Sequence, residues 1–187
     1  NYKVVRNVLE GKKITTIYSV STGPKNQSIY VGTYGDGLFI SEDNGKSFIN
    51  KTTEDGLLSD YINDVYAIET EDNKNIIYIA SYYGLTTMQS DGRILLNNSK
   101  INPGYNNISS VFVDKNDYNL TVYAATGGGI SISYDGGITF EFHKSTSNGL
   151  SSNNVLSISV KKTANEKEVS IYAATDAGLS RTESLTP

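Results

Sequence analysis

The sequence of 187 residues contains no cysteine, no tryptophan, one methionine and one histidine. Without cysteine the chain has neither disulfide bonds nor thiolate metal sites. His143 alone lacks the partner side chains that a metal or proton-transfer site requires. No segment approaches the ~18 consecutive apolar residues of a membrane-spanning helix. We therefore expect no metal, no cofactor and no insertion into a membrane.

Positive charge is scarce as well. The net charge is −4 and the pI is about 5.0, and only three arginines occur. Nucleic-acid binding depends on clustered basic residues, so this balance predicts no nucleic-acid partner. No stretch keeps a 3.6-residue hydrophobic period, which predicts almost no α-helix. Tyrosine and glycine are abundant instead, with 14 and 17 copies.

Residues 121–140, TVYAATGGGISISYDGGITF, read as strand, glycine turn, strand, tight turn and strand. Related segments occur at 28–48, 76–95 and 170–184, and an alternating apolar run precedes each copy. The glycines that end the first turn recur at intervals of 45 to 49 residues: Gly37, Gly84, Gly129 and Gly178. Repeats of this length with several strands per unit are typical of propeller blades.

We predict an all-β fold, a four-bladed β-propeller that forms a single domain over residues 1–187. The predicted blades cover about 11–54, 60–100, 106–146 and 153–184. The fourth copy lacks an outer strand, and residues 2–9 alternate weakly, so this N-terminal strand is predicted to complete the last blade and close the ring. The alternative is a half-ring that pairs with a second copy, as a homodimer, or with sequence outside this chain.

Two tight turns share the pattern S-x-D-x-G-x-[ST]-F. The first contains Ser41, Asp43, Gly45 and Phe48, and the second contains Ser133, Asp135, Gly137 and Phe140. A short aspartate can accept hydrogen bonds from the turn's own amides, and glycine supplies the positive φ of a tight hairpin. The pattern resembles the Asp-box, or bacterial neuraminidase, repeat. We interpret these residues as a structural clamp on the blade and not as catalytic carboxylates.

A second resemblance covers the connections between blades. Residues 55–68, DGLLSDYINDVYAI, and 148–160, NGLSSNNVLSISV, resemble the start of two-component-regulator propeller repeats, and 171–181, IYAATDAGLSR, is similar to their end. Asp-box repeats occur in sialidases, other glycosidases, receptors and assembly factors, whereas regulator repeats occur in periplasmic sensor regions. Both resemblances imply a bacterial β-propeller in an extracytoplasmic location: periplasmic, secreted or at the cell surface. Asn1 in place of Met suggests that an upstream segment was removed.

Catalytic machinery is not evident in the sequence. The sialidase family holds its substrate carboxylate with three arginines, but Arg6, Arg93 and Arg181 fall at different phases of the repeat. We therefore predict that the chain is not an enzyme. A glycosidase with two facing carboxylates stays open as an alternative, because four aspartates fall on one face of the predicted ring: Asp36, Asp60, Asp64 and Asp176.

That face, formed by the middle turns and the connections between blades, is rich in tyrosine and asparagine. Tyrosine offers a flat apolar ring with a hydroxyl, and asparagine offers both a donor and an acceptor. We predict that this face binds a glycan or a protein segment. The candidate residues are Tyr34, Asp36, Tyr61, Asn63, Tyr82, Tyr83, Tyr105, Asn107, Asn154 and Asp176.

Two alternatives to this binding face remain open. The same tyrosines could instead wedge between blades while the asparagines make turns, and the domain could serve as the sensor region of a receptor kinase. A different set of tyrosines recurs at one position of each repeat and is predicted to pack between blades: Tyr30, Tyr78, Tyr123 and Tyr172.

Overall fold

The structure is a computed structural model that describes residues 8–21, 27–70, 75–102, 104–115, 120–162 and 169–183. These residues form four antiparallel sheets, which we call blades 1 to 4. Blade 1 contains β1 (Ile14–Ser21), β2 (Gln27–Thr33), β3 (Leu38–Ser41) and β4 (Ile49–Lys51). Blade 2 contains β5 (Ile62–Glu69), β6 (Asn75–Ser81), β7 (Gly84–Gln89) and β8 (Ile94–Asn98). Blade 3 contains β9 (Ile108–Lys115), β10 (Leu120–Thr126), β11 (Gly129–Ser133) and β12 (Glu141–Lys144), and blade 4 contains β13 (Val155–Lys162), β14 (Val169–Thr175) and β15 (Gly178–Glu183).

The prediction of an all-β chain is confirmed. The described residues contain no α-helix, and their only helical turns are the 3₁₀ turns Thr53–Asp55 and Thr146–Asn148 in the connections that follow blades 1 and 3. Within each blade the strands pair in chain order. The first strands of successive blades also lie against one another, in the order β1, β5, β9 and β13. The four blades therefore follow one another in the manner of a propeller, with their first strands innermost.

Three apolar clusters fill the spaces between successive blades. Tyr30, Tyr78 and Tyr123 hold the same position in the second strand of their blades, and each is buried in one of these clusters. Burial raises the pKa of both Tyr78 and Tyr123 to about 12. Their predicted packing between blades is confirmed. Tyr172, the fourth member, is only half-buried, and the guanidinium of Arg181 lies 5.6 Å from its ring centre.

The middle turn of every blade is closed by the same hydrogen bond. The hydroxyls of Thr33, Ser81, Thr126 and Thr175 donate to the carbonyl oxygens of Gly37, Gly84, Gly129 and Gly178 over 2.7 to 2.9 Å. Gly84 has a φ of 135°, and a Cβ at this position would lie 2.3 Å from the carbonyl oxygen of Asn98 on β8. The positive φ favours glycine at this position in all four blades, and in blades 1 and 2 the close approach of the fourth strand also leaves no room for a Cβ.

The two turns with the S-x-D-x-G-x-[ST]-F pattern share one set of hydrogen bonds. Ser41 Oγ donates to Asp43 Oδ1 over 2.8 Å and accepts from the amide of Gly45 over 2.9 Å. The hydroxyl of Ser47 donates to Asp43 Oδ2 over 2.6 Å. These bonds, first those from Ser47 and then that from Ser41, hold the pKa of Asp43 well below its usual range. The carboxylate is thus engaged by its own turn.

The second turn of this pattern repeats these contacts in blade 3. Ser133 Oγ donates to Asp135 Oδ1 over 2.7 Å, and the hydroxyl of Thr139 donates to Asp135 Oδ2 over 2.6 Å. Burial opposes ionisation of Asp135, but the bonds from Thr139 and Ser133 outweigh it and lower the pKa to about 2. Phe140 follows the turn and packs against the cluster between blades 2 and 3.

Asp64 on β5 joins the first strands of three blades. Its Oδ1 accepts from the hydroxyl of Thr16 in blade 1 over 3.2 Å and from the adjacent amide of Val65 over 2.9 Å. Its Oδ2 accepts from the hydroxyl of Ser110 over 2.9 Å and from the amide of Val111 over 3.0 Å, both in blade 3. Asp64 is therefore a structural residue of the innermost strands.

Closure of the ring is not shown by the described residues. The predicted closing strand at 2–9 lies outside them except for Val8 and Leu9, which do not form a strand. Closure within one chain therefore stays a prediction. Blade 4 comprises three strands in the described part of the chain. Ile17 on blade 1 and Leu179 on blade 4, at the two ends of the series, are both exposed.

Candidate functional site

A cavity of 320 Å³ opens among the loops that connect blades 2, 3 and 4. Its walls come from the middle turns of blades 2 and 3, the 104–107 connection, the start of β9 and the connection into blade 4. None of the lining residues carries a charge. They are Tyr82, Gly104, Tyr105, Asn106, Asn107, Ser109, Gly127 and Asn154.

The position of Tyr105 is fixed by the glycine turn of blade 3. A Cβ on Gly127 would lie 3.2 Å from Tyr105 Cδ1, and one on Gly128 would lie 2.6 Å from Tyr105 Cδ2. The amide of Tyr105 also donates to the carbonyl oxygen of Asn102 over 2.9 Å. The buried Asn102 side chain in turn donates from Nδ2 to Thr126 Oγ1 over 3.2 Å. Because the glycines have no Cβ, the ring of Tyr105 can lie directly against this turn at the edge of the cavity.

A second, more open hollow of 310 Å³ adjoins the first and shares Asn107 and Ser109 with it. Its other lining residues are Thr15 and Asn63. Asn63 Nδ2 donates to Asn107 Oδ1 over 2.7 Å and to the carbonyl oxygen of Ile108 over 2.8 Å. This amide therefore links blades 2 and 3 and holds Asn107 between the two hollows, which form one continuous polar surface.

The predicted binding residues divide into two groups. Four of them line the larger cavity, namely Tyr82, Tyr105, Asn107 and Asn154, and Asn63 lines the adjoining hollow. The other predicted residues line neither: Tyr34, Asp36, Tyr61, Tyr83 and Asp176.

The remaining tyrosines pair with other rings. Tyr34 and Tyr61 pack edge to face with ring centres 5.0 Å apart, and their backbones form a β-bridge between blades 1 and 2. Lys13 Nζ lies 4.0 Å from the ring centre of Tyr34. Tyr83 packs edge to face on Tyr82 at 5.2 Å, so it contacts a residue of the cavity without lining it.

The aspartates of this face make local contacts. Asp36 forms an ion pair with Lys12 over 2.7 Å. Asp60 accepts from the amide of Thr53, the first residue of the 3₁₀ turn Thr53–Asp55, over 2.7 Å. Asp176 Oδ2 accepts from Asn154 Nδ2 over 3.1 Å, and hydrogen bonds from Ser152 and Asn154 lower its pKa. With Asp64 held among three blades, none of the four lines the cavity.

Sequence reasoning did not identify Thr15, Ser109, Gly104 and Gly127 as parts of the site. Thr15, Asn63 and Ser109 occupy the second position of the first strand in blades 1, 2 and 3. This repeat position was a usable signal, because polar residues stand there in three consecutive units. Gly127 could not have been found in this way, because its role depends on the ring of Tyr105, which comes from a different loop.

Two further features of the described residues bear on the site. No group of three or more His, Cys, Asp or Glu side chains in these ranges is arranged to hold a metal ion. Among the same residues, no helix has the length and apolar character required to cross a membrane.

Several solved structures are similar to the fold of this chain. The extracellular domain of a hybrid two-component system from B. thetaiotaomicron aligns with 96% of this chain at 16% identity and a TM-score of 0.61. An ancestral GH74 enzyme aligns with 91% at 20% identity and a TM-score of 0.64. The computationally designed Ika4 protein aligns with 95% at 13% identity and a TM-score of 0.64.

The extent of these alignments differs between the three structures. The chain spans 22% of the extracellular domain of the two-component system and 24% of the GH74 enzyme chain, whereas it spans 94% of Ika4. No protein-family model matches the sequence, and no curated protein matches it. At these identities the likeness establishes the fold alone. The chain is an all-β protein of propeller type, built from four successive antiparallel blades.

Proposed function

We propose that this chain is a non-catalytic recognition module and that the cavity between blades 2, 3 and 4 binds an uncharged glycan. The observation that carries the proposal is the lining of the cavity, which contains two tyrosines, three asparagines and no charged side chain. A sugar presents apolar C–H faces together with a dense set of hydroxyls. Tyrosine rings complement the first, and side-chain amides, which donate and accept, complement the second.

The size of the cavity favours a compact ligand. Its volume of 320 Å³ is at the lower end of the range found for small-molecule sites, about 300–1,000 Å³. An extended protein segment would need a longer groove or a free strand edge. The continuation into the hollow at Asn63 and Asn107 gives room for one further unit of an oligomer. We therefore favour a short oligosaccharide over a peptide.

The contacts of the aspartates support a binding role over catalysis. A glycosidase needs two carboxyl groups on opposite sides of the bond that is cleaved. Here Asp36 is paired with Lys12, Asp176 is bonded to Asn154, and Asp64 is shared among three blades. The likeness to a GH74 enzyme nevertheless makes a glycoside-active enzyme, or part of one, the second candidate.

The likeness to an extracellular domain of a hybrid two-component system supports an extracytoplasmic location. It also supports a particular use of the module, as a periplasmic sensor domain whose ligand is the glycan. A sensor and a simple binding module share the same site and differ in what the parent protein does with the bound ligand. The Asp-box turns of blades 1 and 3 are compatible with either use.

The proposal is tested by a glycan array followed by calorimetric titration of the strongest ligand. The Tyr105→Ala variant should weaken binding by about tenfold or more, because truncation removes one of the two aromatic rings that line the cavity. Tyr34→Ala is the matched control, because Tyr34 is similarly exposed, 56% against 51% for Tyr105, and neither Tyr34 nor its ring partner Tyr61 lines the cavity. Equal losses in both variants, or no glycan bound at all, would contradict the proposed site.

Chromogenic glycosides separate binding from catalysis. We expect no turnover by the wild-type chain. Turnover that is abolished by Asp36→Asn or Asp176→Asn would establish the enzyme and refute the non-catalytic proposal. Turnover that both variants retain would point to a contaminating activity, and the titration with Tyr105→Ala would then decide alone.

A further inference from the structure

The two ends of the blade series expose side chains that are buried in every other blade. Ile17 in the first strand of blade 1 corresponds to Val65, Val111 and Ile158 in the first strands of blades 2, 3 and 4. In every blade, this residue pairs with the third-to-last residue of the second strand. Ile17 is 68% exposed, whereas the other three are buried. Ile14 follows the same rule: it is exposed, and its equivalents Ile62, Ile108 and Val155 are buried.

The opposite end shows the complementary pattern. Leu179 in the third strand of blade 4 corresponds to Leu38, Leu85 and Ile130 in the third strands of blades 1, 2 and 3. In every blade, this residue pairs with the second-to-last residue of the second strand. Leu179 is 71% exposed, and the other three are completely buried. Aliphatic residues therefore stand at these positions in all four blades, including the two that no neighbouring blade covers in the described part of the chain.

The exposed positions belong to opposite sides of one kind of interface. We call the side of a blade that packs on the following blade its leading face, and the other side its trailing face. Between blades 1 and 2, Leu38 and Tyr30 lie on the leading face and contact a cluster that includes Val65 and Ile62 of the trailing face. Within the described residues, Leu179 and Tyr172 thus mark a leading face that no blade follows, and Ile17 and Ile14 mark the exposed first strand of a trailing face that no blade precedes. On β2 and β3 of that trailing face, Val31 and Phe39 are already buried, so the open part of the face is its first strand.

We propose that the leading face of blade 4 packs on the trailing face of blade 1 in a second copy of this chain, so that two copies complete one ring. The junction continues the interface that the chain already makes three times. Two copies of four blades give eight, which is within the typical range of about four to eight. A two-fold axis then generates both junctions from one contact, and no apolar face is left open.

One polar pair supports this register. At the interface between blades 1 and 2, Asn75 Nδ2 donates to the hydroxyl of Tyr30 over 3.0 Å. The equivalent of Tyr30 in blade 4 is Tyr172, since both are the fourth residue of the second strand. The equivalent of Asn75 in blade 1 is Gln27, since both are the first residue of the second strand. Blades 3 and 4 carry Leu120 and Val169 at that position. Among the four blades, the only other side-chain amide at this position is therefore that of Gln27, on the trailing face of blade 1. In the proposed dimer, Tyr172 of the second copy would contact it.

Sedimentation equilibrium of the whole chain tests the proposal. The wild type should reach twice the 20.3 kDa mass of one chain in a concentration-dependent manner. Ile17→Lys should raise the dimer dissociation constant by about 100-fold, because each ring contains the altered junction twice and a lysine ammonium would be buried there. Ile138→Lys is the matched control, since Ile138 is 63% exposed in a turn of blade 3 away from both end faces, and it should dimerise as the wild type does.

Mixing two variants identifies the head-to-tail arrangement. Leu179→Lys should also prevent dimers, but an equimolar mixture of Ile17→Lys and Leu179→Lys chains retains one unaltered junction and should recover part of the dimer. A Leu179→Lys chain that dimerises normally would indicate contact between two copies of blade 1 and would overturn the proposal. Circular dichroism shows whether each variant is folded.

A wild-type chain that stays monomeric at every concentration tested would also overturn the proposal. It would favour closure by the N-terminal segment of the same chain or by blades of a different polypeptide. None of these outcomes depends on the glycan proposal, because the end faces share no residue with the cavity.

Discussion

Replacing Asp64 with asparagine gives the sharpest test of how the blades are held together. The substitution keeps the size of the side chain and removes one acceptor oxygen together with the charge. In the wild type, Oδ1 accepts from Thr16 and Val65, and Oδ2 accepts from Ser110 and Val111. An asparagine has a single acceptor oxygen, so it can satisfy the donors on one side only.

The expected loss follows from the donors that are left. In the Asp64→Asn variant, the NH₂ group of the new side chain faces either the donor pair on blade 3 or the donor pair on the side of blade 1. The hydroxyls of Thr16 and Ser110 can rotate to other acceptors, but the backbone amides of Val65 and Val111 cannot. An unsatisfied amide costs about 1–3 kcal/mol, and loss of the charge-assisted character costs about 1 kcal/mol more. We therefore expect Asp64→Asn to lower the free energy of unfolding by about 2–4 kcal/mol.

Urea denaturation measures this loss. The 14 tyrosines provide a fluorescence signal in a chain without tryptophan, and circular dichroism provides an independent probe of the sheets. Asp91→Asn is the control, because Asp91 is exposed and accepts one local hydrogen bond, from the amide of Arg93 over 3.0 Å. The control should change stability by less than about 0.5 kcal/mol. An Asp64→Asn variant as stable as the control would show that Asp64 does not join the three blades energetically.

Three further substitutions test other parts of the fold. Gly84→Ala should cost about 3 kcal/mol in urea denaturation, because its Cβ would overlap a carbonyl oxygen 2.3 Å away, whereas Gly149→Ala, with a φ of 102° and no atom within 4 Å, should cost about 1 kcal/mol. Tyr30→Phe removes the acceptor of a buried amide and should cost about 1–2 kcal/mol by the same measurement, a smaller loss than that of Gly84→Ala. Asp135 has a folded pKa of about 2 and an ordinary value of 3.8, so the stability that it contributes is present above about pH 4 and is lost as the pH falls to 2. The difference in unfolding free energy between the wild type and Asp135→Asn should therefore shrink over that range, and a difference independent of pH would contradict the reasoning.

The all-β class and the order of the strands could be predicted because each signal is local and repeated. Alternating apolar residues define β1, β5, β9 and β13, and the Ser/Thr-to-glycine turn marks the middle of every blade. The packing of Tyr30, Tyr78 and Tyr123 could be predicted for the same reason, since one residue type recurs at one phase. Four copies of a pattern reinforce one another in a way that a single copy does not.

The contacts of individual side chains could not be predicted in this way. Asp64 stands beside Asn63 in the sequence, and the repeat pattern predicts the same loop face for both. The structure places Asp64 among three first strands and Asn63 at the hollow, because neighbouring residues of a strand point to opposite sides. Similarly, the pairing of Asp36 with Lys12 joins residues 24 positions apart and has no sequence signature.

Ring closure depends on contacts between residues that are farthest apart in the chain, and the repeat indicates which positions make them but not whether the partner blade belongs to the same chain. A sequence of four matched blades predicts four similar interfaces, of which three are present in the described residues. The fourth would be made by the exposed Ile17 and Leu179 wherever their partners come from.

The cavity is lined only by residues of blades 2, 3 and 4 and of the connections between them. Completing the ring at the outer faces of blades 1 and 4 therefore leaves the cavity accessible. A ring of two copies would therefore present two identical binding sites on one face, and a surface with many copies of the ligand would be bound more tightly than a single ligand, by the effective concentration of the second site.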